Sequence, residues 1–464
     1  LSQLFLVAIE NGVLNELEKF EIQDKSQEVD ERSLELLRVA RLLADSPESN
    51  SEVNDELLKY RVDFVMAYAK RLWQASYRGN KATQDGLAKH LSYALSNVSV
   101  QLPVELKEKL QGIQDKLARV SLAKRLYAQI KLNSSRIIPT PLNIRHEIGG
   151  KFDIVFKGNV SDTLDGFTLK NDHRLLDIYV PALFTYQGFH DFFVKEHDDV
   201  VKLAALDAWA LGEEKSFNTL SAADIEQIKT EIRELYVNDY KDAWLRVING
   251  LGVVDFDLDI SKALAVLGAL NSADNPYASL VSMVRKNTIL FPEEIQEQAQ
   301  NKANDSNKDL DERSKLLANS KLNSNLYVDV GVRLEEAFSN INSLSNMSEK
   351  KDARLYLDDI NLAFSSLYDF MYDVNSNKNS PNYSLQKAID KLSLRSEADP
   401  FFVLQRIANG MNEPLRSHFK KIADSSWNIL LGMASNNLDS LWKNDVYLFF
   451  SERIKGRYPI DKSS

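Results

Sequence analysis

The carboxylate best placed for chemistry is Asp239, because it falls inside the apolar stripe of a predicted helix. At about 100° per residue, the segment 221–249 collects most of its large apolar side chains on one face: Ile225, Ile232, Tyr236, Tyr240, Ala243 and Val247. A carboxylate there is either an acid with a raised pKa or a structural acceptor for buried donors. Local spacing places no second carboxylate or histidine beside it, so we predict that Asp239 is a buried structural acceptor. Trp244, at the edge of the stripe, is predicted to anchor the core.

Histidine is a second possible source of chemistry. His190 and His197 are seven residues apart, so a helix would carry both on one face, with Asp191, Asp198 and Asp199 nearby. Two imidazoles separated by two turns cannot bind one ion without bending the helix, so we predict no metal site there. The chain contains no cysteine, which excludes thiolate metal sites, catalytic thiols and disulfides.

The sequence also lacks a complete phosphate-binding loop. The nearest approach is 149–152, Gly-Gly-Lys-Phe, which lacks both the first glycine of a P-loop and the hydroxyl residue after the lysine. The common hydrolase and metalloprotease motifs are absent as well. We therefore predict no cofactor and no enzymatic activity.

Length and charge narrow the class of protein further. A chain of 464 residues exceeds the roughly 250–300 residues that one core can serve, so several subdomains are expected. The net charge of −10 argues against nucleic acid as a partner. The longest apolar runs, 4–9 and 263–270, are far shorter than the ~18–20 residues that cross a bilayer, and no signal peptide is recognisable. We expect a soluble piece of a longer polypeptide.

Helical periodicity predicts a mainly α fold. Pro103 is expected to open one long amphipathic helix that continues to about residue 130. Its apolar face would consist of Leu106, Leu110, Ile113, Leu117, Val120, Leu126, Tyr127 and Ile130. Ser221 and Asp224 form a candidate capping box, and Asn275 before Pro276 is a candidate helix cap.

A small β element is expected at 136–185, where glycine and proline interrupt short β-rich runs such as 152–156 and 176–180. Between 298 and 325 the composition turns to Asn, Ser, Lys and Asp, which is typical of a linker or a solvated helix. The expected domains are a helical N-terminal region at 1–135, a β element plus helical domain at 136–300, a linker at 301–325 and a C-terminal helical domain at 326–464.

Four segments resemble, in order and spacing, motifs of the TssM/IcmF family, the inner-membrane scaffold proteins of type VI secretion systems. They are 180–185 with 188–189, 207–212, 235–240 with Trp244, and 456–460. Ala182 stands where the family usually has glycine. The residues singled out on these motifs as structural or interaction candidates are Pro181, Phe184, Thr185, Gly188, Trp209, Tyr236, Asp239, Tyr240, Trp244, Arg457 and Tyr458.

The resemblance implies the periplasmic portion of a larger inner-membrane protein. Family members have an N-terminal cytoplasmic region with membrane helices, and they continue past the fourth motif into a β-rich domain. That domain contacts the outer-membrane lipoprotein TssJ and is not expected in this chain. The family's periplasmic pillar packs against other TssM copies and, with the inner-membrane protein TssL, builds a complex that links the two membranes. A structural, oligomerising scaffold is therefore the expected function.

Two other functions remain open from the residues alone. One is an all-helical hydrolase centred on Asp239, which an open pocket converging on that carboxylate would favour. The other is a peptide-binding helical adaptor, which a concave groove of regularly repeated helix pairs would favour. The sequence shows no repeat of fixed period, which counts against the adaptor.

Overall fold

The structure is a computed structural model, and helices dominate it, which confirms the mainly α prediction. It describes residues 2–23, 31–44, 52–77, 79–98, 104–158, 178–211, 220–302, 313–318, 324–345, 356–380, 382–393 and 399–455. Among these residues, the strands form two antiparallel sheets of two strands each.

The chain divides into two compact units that alternate along the sequence. The first unit comprises Leu1–Thr140 and Gln187–Asp239, and the second comprises Pro141–Tyr186 and Tyr240–Ser464. One division falls inside the Ala222–Gly250 helix. The four domains expected from the sequence stay a prediction.

The first unit is helical throughout its described residues. Its core collects side chains from several helices, including Leu36, Leu37, Phe64, Tyr68 and Leu91. Its helices are Ser2–Gln23, Glu31–Ala44, Glu52–Ser76, Lys81–Asn97, Val104–Ala118, Leu122–Ile137, the π-helical Phe189–Phe193, Val194–Asp198, Val200–Leu211 and the first part of Ala222–Gly250.

The single long helix expected from Pro103 to about residue 130 is wrong. The chain forms two helices, Val104–Ala118 and Leu122–Ile137. Ser121 separates them, because its side-chain oxygen accepts a hydrogen bond from the backbone N–H of Lys124 at 3.4 Å and so caps a new helix.

The second unit contains the two sheets and a second group of packed helices. The Leu415–Leu441 helix packs against Pro400–Asn409 and Tyr383–Leu392, while Ile260–Leu270 packs against Tyr356–Ser376. The remaining described helices are Ile144–Ile148, Phe152–Val155, the 3-10 turn Ala182–Phe184, Tyr186–Gly188 at the boundary of the units, Pro276–Thr288, Glu293–Lys302, 313–318, Ser324–Leu326, the π-helical Tyr327–Val332, Arg333–Ala337, Ser339–Asn342, the 3-10 turn Ser343–Ser345, the π-helical Trp442–Tyr447 and Leu448–Arg453.

The β element differs in detail from the expectation. Strand β1 (Leu142–Asn143) pairs with β3 (Tyr179–Val180), and β2 (Phe156–Gly158) pairs with β4 (Leu251–Val253). Most of the run 152–156, expected as β structure, is helical, and β4 lies outside the expected region. Pairing between segments so far apart in sequence leaves no local pattern that could have predicted it.

Both predicted caps are confirmed. Ser221 and Asp224 exchange hydrogen bonds in a capping box, with the Ser221 N–H donating to the Asp224 carboxylate at 2.8 Å and the Asp224 N–H donating to the Ser221 hydroxyl at 3.2 Å. The Asn275 side chain accepts from the Tyr277 N–H at 2.9 Å, with Pro276 in the first turn. Within the described residues, none of the helices combines the length and apolar character that crossing a membrane requires.

Candidate functional site

In the second unit, the motif residues Tyr240 and Trp244 are buried and hydrogen-bonded. The indole N–H of Trp244 donates to the carbonyl of Phe184 at 2.8 Å, and the Phe184 ring meets the Tyr240 ring edge-on at 5.8 Å between centroids. The Tyr240 hydroxyl donates to the backbone carbonyl of Asn287. The side chain of Asn287 accepts from the Tyr186 N–H at 3.0 Å. These bonds tie the 182–186 turn and two helices into one cluster.

The carbonyl that Tyr240 caps belongs to the end of a helix. Asn287 lies in the last turn of Pro276–Thr288, where main-chain carbonyls have no partner within the helix. Burial raises the pKa of the Tyr240 hydroxyl well above its usual value, so the hydroxyl keeps its proton and remains a donor. Its role in this geometry is structural.

In the first unit, Tyr236 lies in a separate aromatic cluster. Its ring stacks on Phe193 with 3.6 Å between centroids and 11° between planes, and Phe189 lies 6.1 Å away. Phe189 and Phe193 begin and end a π-helical turn that follows the buried Gly188. His197 lies 6.0 Å from Phe193 on the same stretch of chain.

His197 is fully buried, and neither of its ring nitrogens has a hydrogen-bond partner among the described residues. The Asp198 carboxylate is 3.7 Å from Nδ1, which is too long for a hydrogen bond. Burial first, and then the positive charges of Arg233 and Lys229, lower the pKa of His197 to about 4. The ring is therefore neutral near pH 7 and behaves as part of the apolar core. No group of three or more potential metal ligands occurs among the residues that the structure describes.

Asp239 accepts hydrogen bonds but is not buried, which corrects one part of the prediction. Its carboxylate accepts from the Tyr127 hydroxyl at 2.9 Å and pairs with the Lys131 ammonium at 3.3 Å. Its side chain is 38% exposed. At this position the helix packs against the Leu122–Ile137 helix, which presents the Tyr127 hydroxyl and the Lys131 ammonium. The apolar stripe therefore does not enclose the carboxylate.

One buried acid of the first unit is Asp207, in the motif that includes Trp209. Its carboxylate pairs with Arg125 at 2.9 Å and lies 3.7 Å from Arg38, and all three side chains are almost completely buried. Arg38 also donates to the side chain of Gln129 at 2.6 Å. Removing one partner of a buried pair leaves an uncompensated charge, at a cost of about 3–5 kcal/mol. This ion pair therefore fixes the packing of three helices.

A second buried acid, Glu35, lies between Arg71 and Arg136 in the same unit. Burial alone would raise the pKa of Glu35, but the hydrogen bonds and charges of the two arginines outweigh it and lower the pKa. Trp209 is half-buried, with the Arg41 guanidinium 5.5 Å from its ring centroid. Neither Glu35 nor the carboxylate of Asp207 carries a local sequence signal that distinguishes it as a buried ion-pair partner.

The other motif residues have local roles or lie outside the described chain. Pro181 precedes the 3-10 turn Ala182–Phe184, and the Thr185 hydroxyl donates to the Ala182 carbonyl at 2.7 Å. Arg457 and Tyr458 lie outside the described residues. The polar groups of Tyr240, Trp244 and Asp239 are engaged with protein groups. Their arrangement can hold helices together.

Comparison with known proteins gives two matches. The sequence model of the IcmF-related family, "Intracellular multiplication and human macrophage-killing", matches residues 1–289. A curated relative from Pseudomonas aeruginosa, "Type VI secretion system component TssM1", is 23% identical over 437 residues, which cover 87% of this chain and 35% of the relative. The chain thus spans about a third of the length of that relative. No solved structure matches significantly.

Proposed function

This chain belongs to the IcmF-related family, and from that membership we propose that it forms a structural part of a type VI secretion membrane complex. In this proposal it is the periplasmic portion of an inner-membrane protein and acts as a pillar between the inner and outer membranes. The alignment with a type VI secretion component over 87% of the chain carries the proposal.

The roles of the motif residues support a scaffold. Tyr236, Tyr240 and Trp244 are all fully buried. The polar atoms of Tyr240 and Trp244 donate to backbone carbonyls. Side chains used in this way give a helical body a defined shape, as a scaffold requires. Asp239 is engaged by Tyr127 and Lys131, and nothing in this geometry favours the hydrolase.

The proposed partners are other copies of the same protein, the inner-membrane protein TssL and the outer-membrane lipoprotein TssJ. Contacts between copies and with TssL would use helical surfaces of this chain. Contact with TssJ would involve mainly the family's C-terminal β domain, which we infer from the resemblance of 456–460 to the motif preceding that domain.

Co-purification from membranes tests the proposal. The full-length protein with an affinity tag is cross-linked in cells, extracted in detergent and isolated, and its partners are quantified by mass spectrometry. An untagged second copy, TssL and TssJ should all be enriched relative to a tagged inner-membrane protein of unrelated function. Recovery of the protein without any of the three would contradict the proposal.

A further inference from the structure

The charges around Glu35 in the first unit do not balance. Arg71 donates to both oxygens of the Glu35 carboxylate, at 3.0 and 2.6 Å, and Arg136 donates to one of them at 2.5 Å. Neither arginine forms an ion pair with another carboxylate of the described residues. Two guanidiniums therefore share one carboxylate, and the cluster keeps a net charge of +1.

Both arginines also keep unused hydrogen-bond donors. A guanidinium carries five N–H donors. Within the described residues, the Nε atoms of Arg71 and Arg136 are buried and have no partner, and neither does the nearby buried hydroxyl of Tyr60. Nη1 of Arg136 donates to no described residue, since its bonds to Glu35 use Nη2. The terminal nitrogens of the two arginines can thus serve a further acceptor.

The guanidiniums are held in place before any ligand arrives. The Arg136 guanidinium lies 4.0 Å from the centroid of the Phe64 ring, and that of Arg71 lies 5.5 Å from the Tyr68 ring. Glu35 orients both through its two oxygens. A planar guanidinium stacked and bonded in this way loses little freedom when it forms another hydrogen bond, so the cluster is preorganised for binding.

Solvent reaches this cluster from one side. The Arg71 side chain is 40% exposed and the Arg136 side chain 16%, whereas Glu35 is fully buried. A ligand can therefore approach the two arginines without displacing Glu35. The pair of arginines on Asp207 has the same charges, but all three of its side chains are almost completely buried. That second cluster is closed to a ligand from solvent.

We propose that the exposed side of the Arg71 and Arg136 pair is a binding site for a carboxylate. Arginine forks match carboxylates in geometry, and Glu35 already shows one bound in this way. A second carboxylate brings the net charge of the cluster to zero. A phosphate group carries about −1.5 to −2 at pH 7, so it would leave excess negative charge beside the buried Glu35. The inference goes beyond the scaffold and does not depend on it.

The electrostatics of Arg136 agree with an added anion. Burial lowers the pKa of Arg136 most, Glu35 counteracts this effect, and the positive charge of Arg71 lowers the pKa further. A carboxylate between the two guanidiniums would offset their repulsion. Because the site is partly exposed, salt screens this attraction, and a single carboxylate should bind with a dissociation constant in the millimolar range.

Thermal unfolding of the whole chain at pH 7 tests the site, with sodium acetate replacing sodium chloride at constant ionic strength. A ligand that binds the folded state raises the melting temperature with its concentration, so acetate should raise that of wild type along a curve that levels off. Arg71→Met should raise the acetate dissociation constant by about 10-fold or more, because it removes charge-assisted hydrogen bonds. Arg119→Met, at an exposed position of the same unit, is the matched control and should respond like wild type.

Two further variants keep the test decisive. Arg71→Lys retains the charge beside Glu35 but lacks the fork, so it should still weaken acetate binding if Arg71→Met fails to fold. Glu35→Gln removes the carboxylate that competes for both arginines and should strengthen acetate binding several-fold. A cluster with a purely structural role would lose stability in Glu35→Gln without any change in its response to acetate.

The outcomes separate this inference from the proposed function. Equal melting curves of wild type in acetate and chloride would overturn the site, as would equal acetate responses of wild type and the folded Arg71 variants. A larger response to phosphate than to acetate would overturn the assignment to a carboxylate. None of these results bears on the co-purification of partners from membranes, which tests the scaffold.

Discussion

Replacing Tyr240 by phenylalanine removes one hydroxyl from the core of the second unit and leaves the ring in place. That hydroxyl is the donor to the carbonyl of Asn287, which lies at the end of a helix and is buried. A buried acceptor left without its donor costs about 1–3 kcal/mol. Because the ring remains, packing against Phe184 should be retained, and the loss should be confined to this hydrogen bond.

Differential scanning calorimetry measures this loss. For domains of 150–250 residues each kcal/mol shifts the melting temperature by about 2–4 °C, so Tyr240→Phe should melt about 2–12 °C lower than wild type. Tyr372→Phe is the matched control, since Tyr372 is 55% exposed in the same unit and its hydroxyl can bond to water. If the two variants melt together at the wild-type temperature, the structural role assigned to Tyr240 is refuted.

Three further predictions concern other sites and use the same melting assay. Asp239→Ala should lower the free energy of unfolding by less than about 1 kcal/mol, because exposed ion pairs contribute little to stability. A loss above about 3 kcal/mol would mean that the carboxylate is buried. Gly331→Ala should lower the free energy of unfolding by about 1–3 kcal/mol, because its new methyl group would lie 3.2 Å from the Phe291 ring. Gly432→Ala is the control and should be neutral or stabilising, because nothing lies within 4 Å of the new methyl group. A larger loss of stability for Gly432→Ala than for Gly331→Ala would refute this prediction. The pKa of His197 in the folded protein, about 4, is below the ordinary 6.5 of the unfolded chain, so the unfolded state binds the proton more tightly and stability should fall as the pH drops from about 6.5 to 4. His197→Leu should flatten that dependence, and an unchanged slope would contradict the assignment.

The helical class and several helix ends could be predicted because their signals are local. Ser221 and Asp224 lie three residues apart, and Asn275 directly precedes Pro276, so each cap is encoded within one turn. The break between Val104–Ala118 and Leu122–Ile137 also had a local signal, the capping serine at 121. The apolar periodicity continued across it and outweighed that signal.

The buried acid was assigned to Asp239, although Asp207 and Glu35 are fully buried and Asp239 is not. The helical-wheel argument applies equally to Val200–Leu211, where Asp207 shares a face with Leu203 and Ala204 and could have been found in the same way. Its partner Arg125 is 82 residues away in sequence. A single sequence has no local pattern that connects the two, so the ion pair itself could not be predicted.

The exposure of Asp239 has a similar cause. A wheel shows which residues of one helix share a face, but the neighbouring helix determines how polar that face is. Here the neighbour presents the Tyr127 hydroxyl and the Lys131 ammonium, which keep the carboxylate accessible to water. The pairing of β2 with β4 likewise depends on tertiary contacts that no local pattern records.

Electron cryo-tomography of the full-length protein in bacterial envelopes, with sub-tomogram averaging of the secretion complex, tests the central claim most directly. The account predicts several copies of this helical region in the space between the inner and outer membranes, identified by an electron-dense label on a cysteine introduced at the exposed position Tyr93. Label density on the cytoplasmic side of the inner membrane, or a complex of unchanged form in cells whose protein lacks this region, would contradict it.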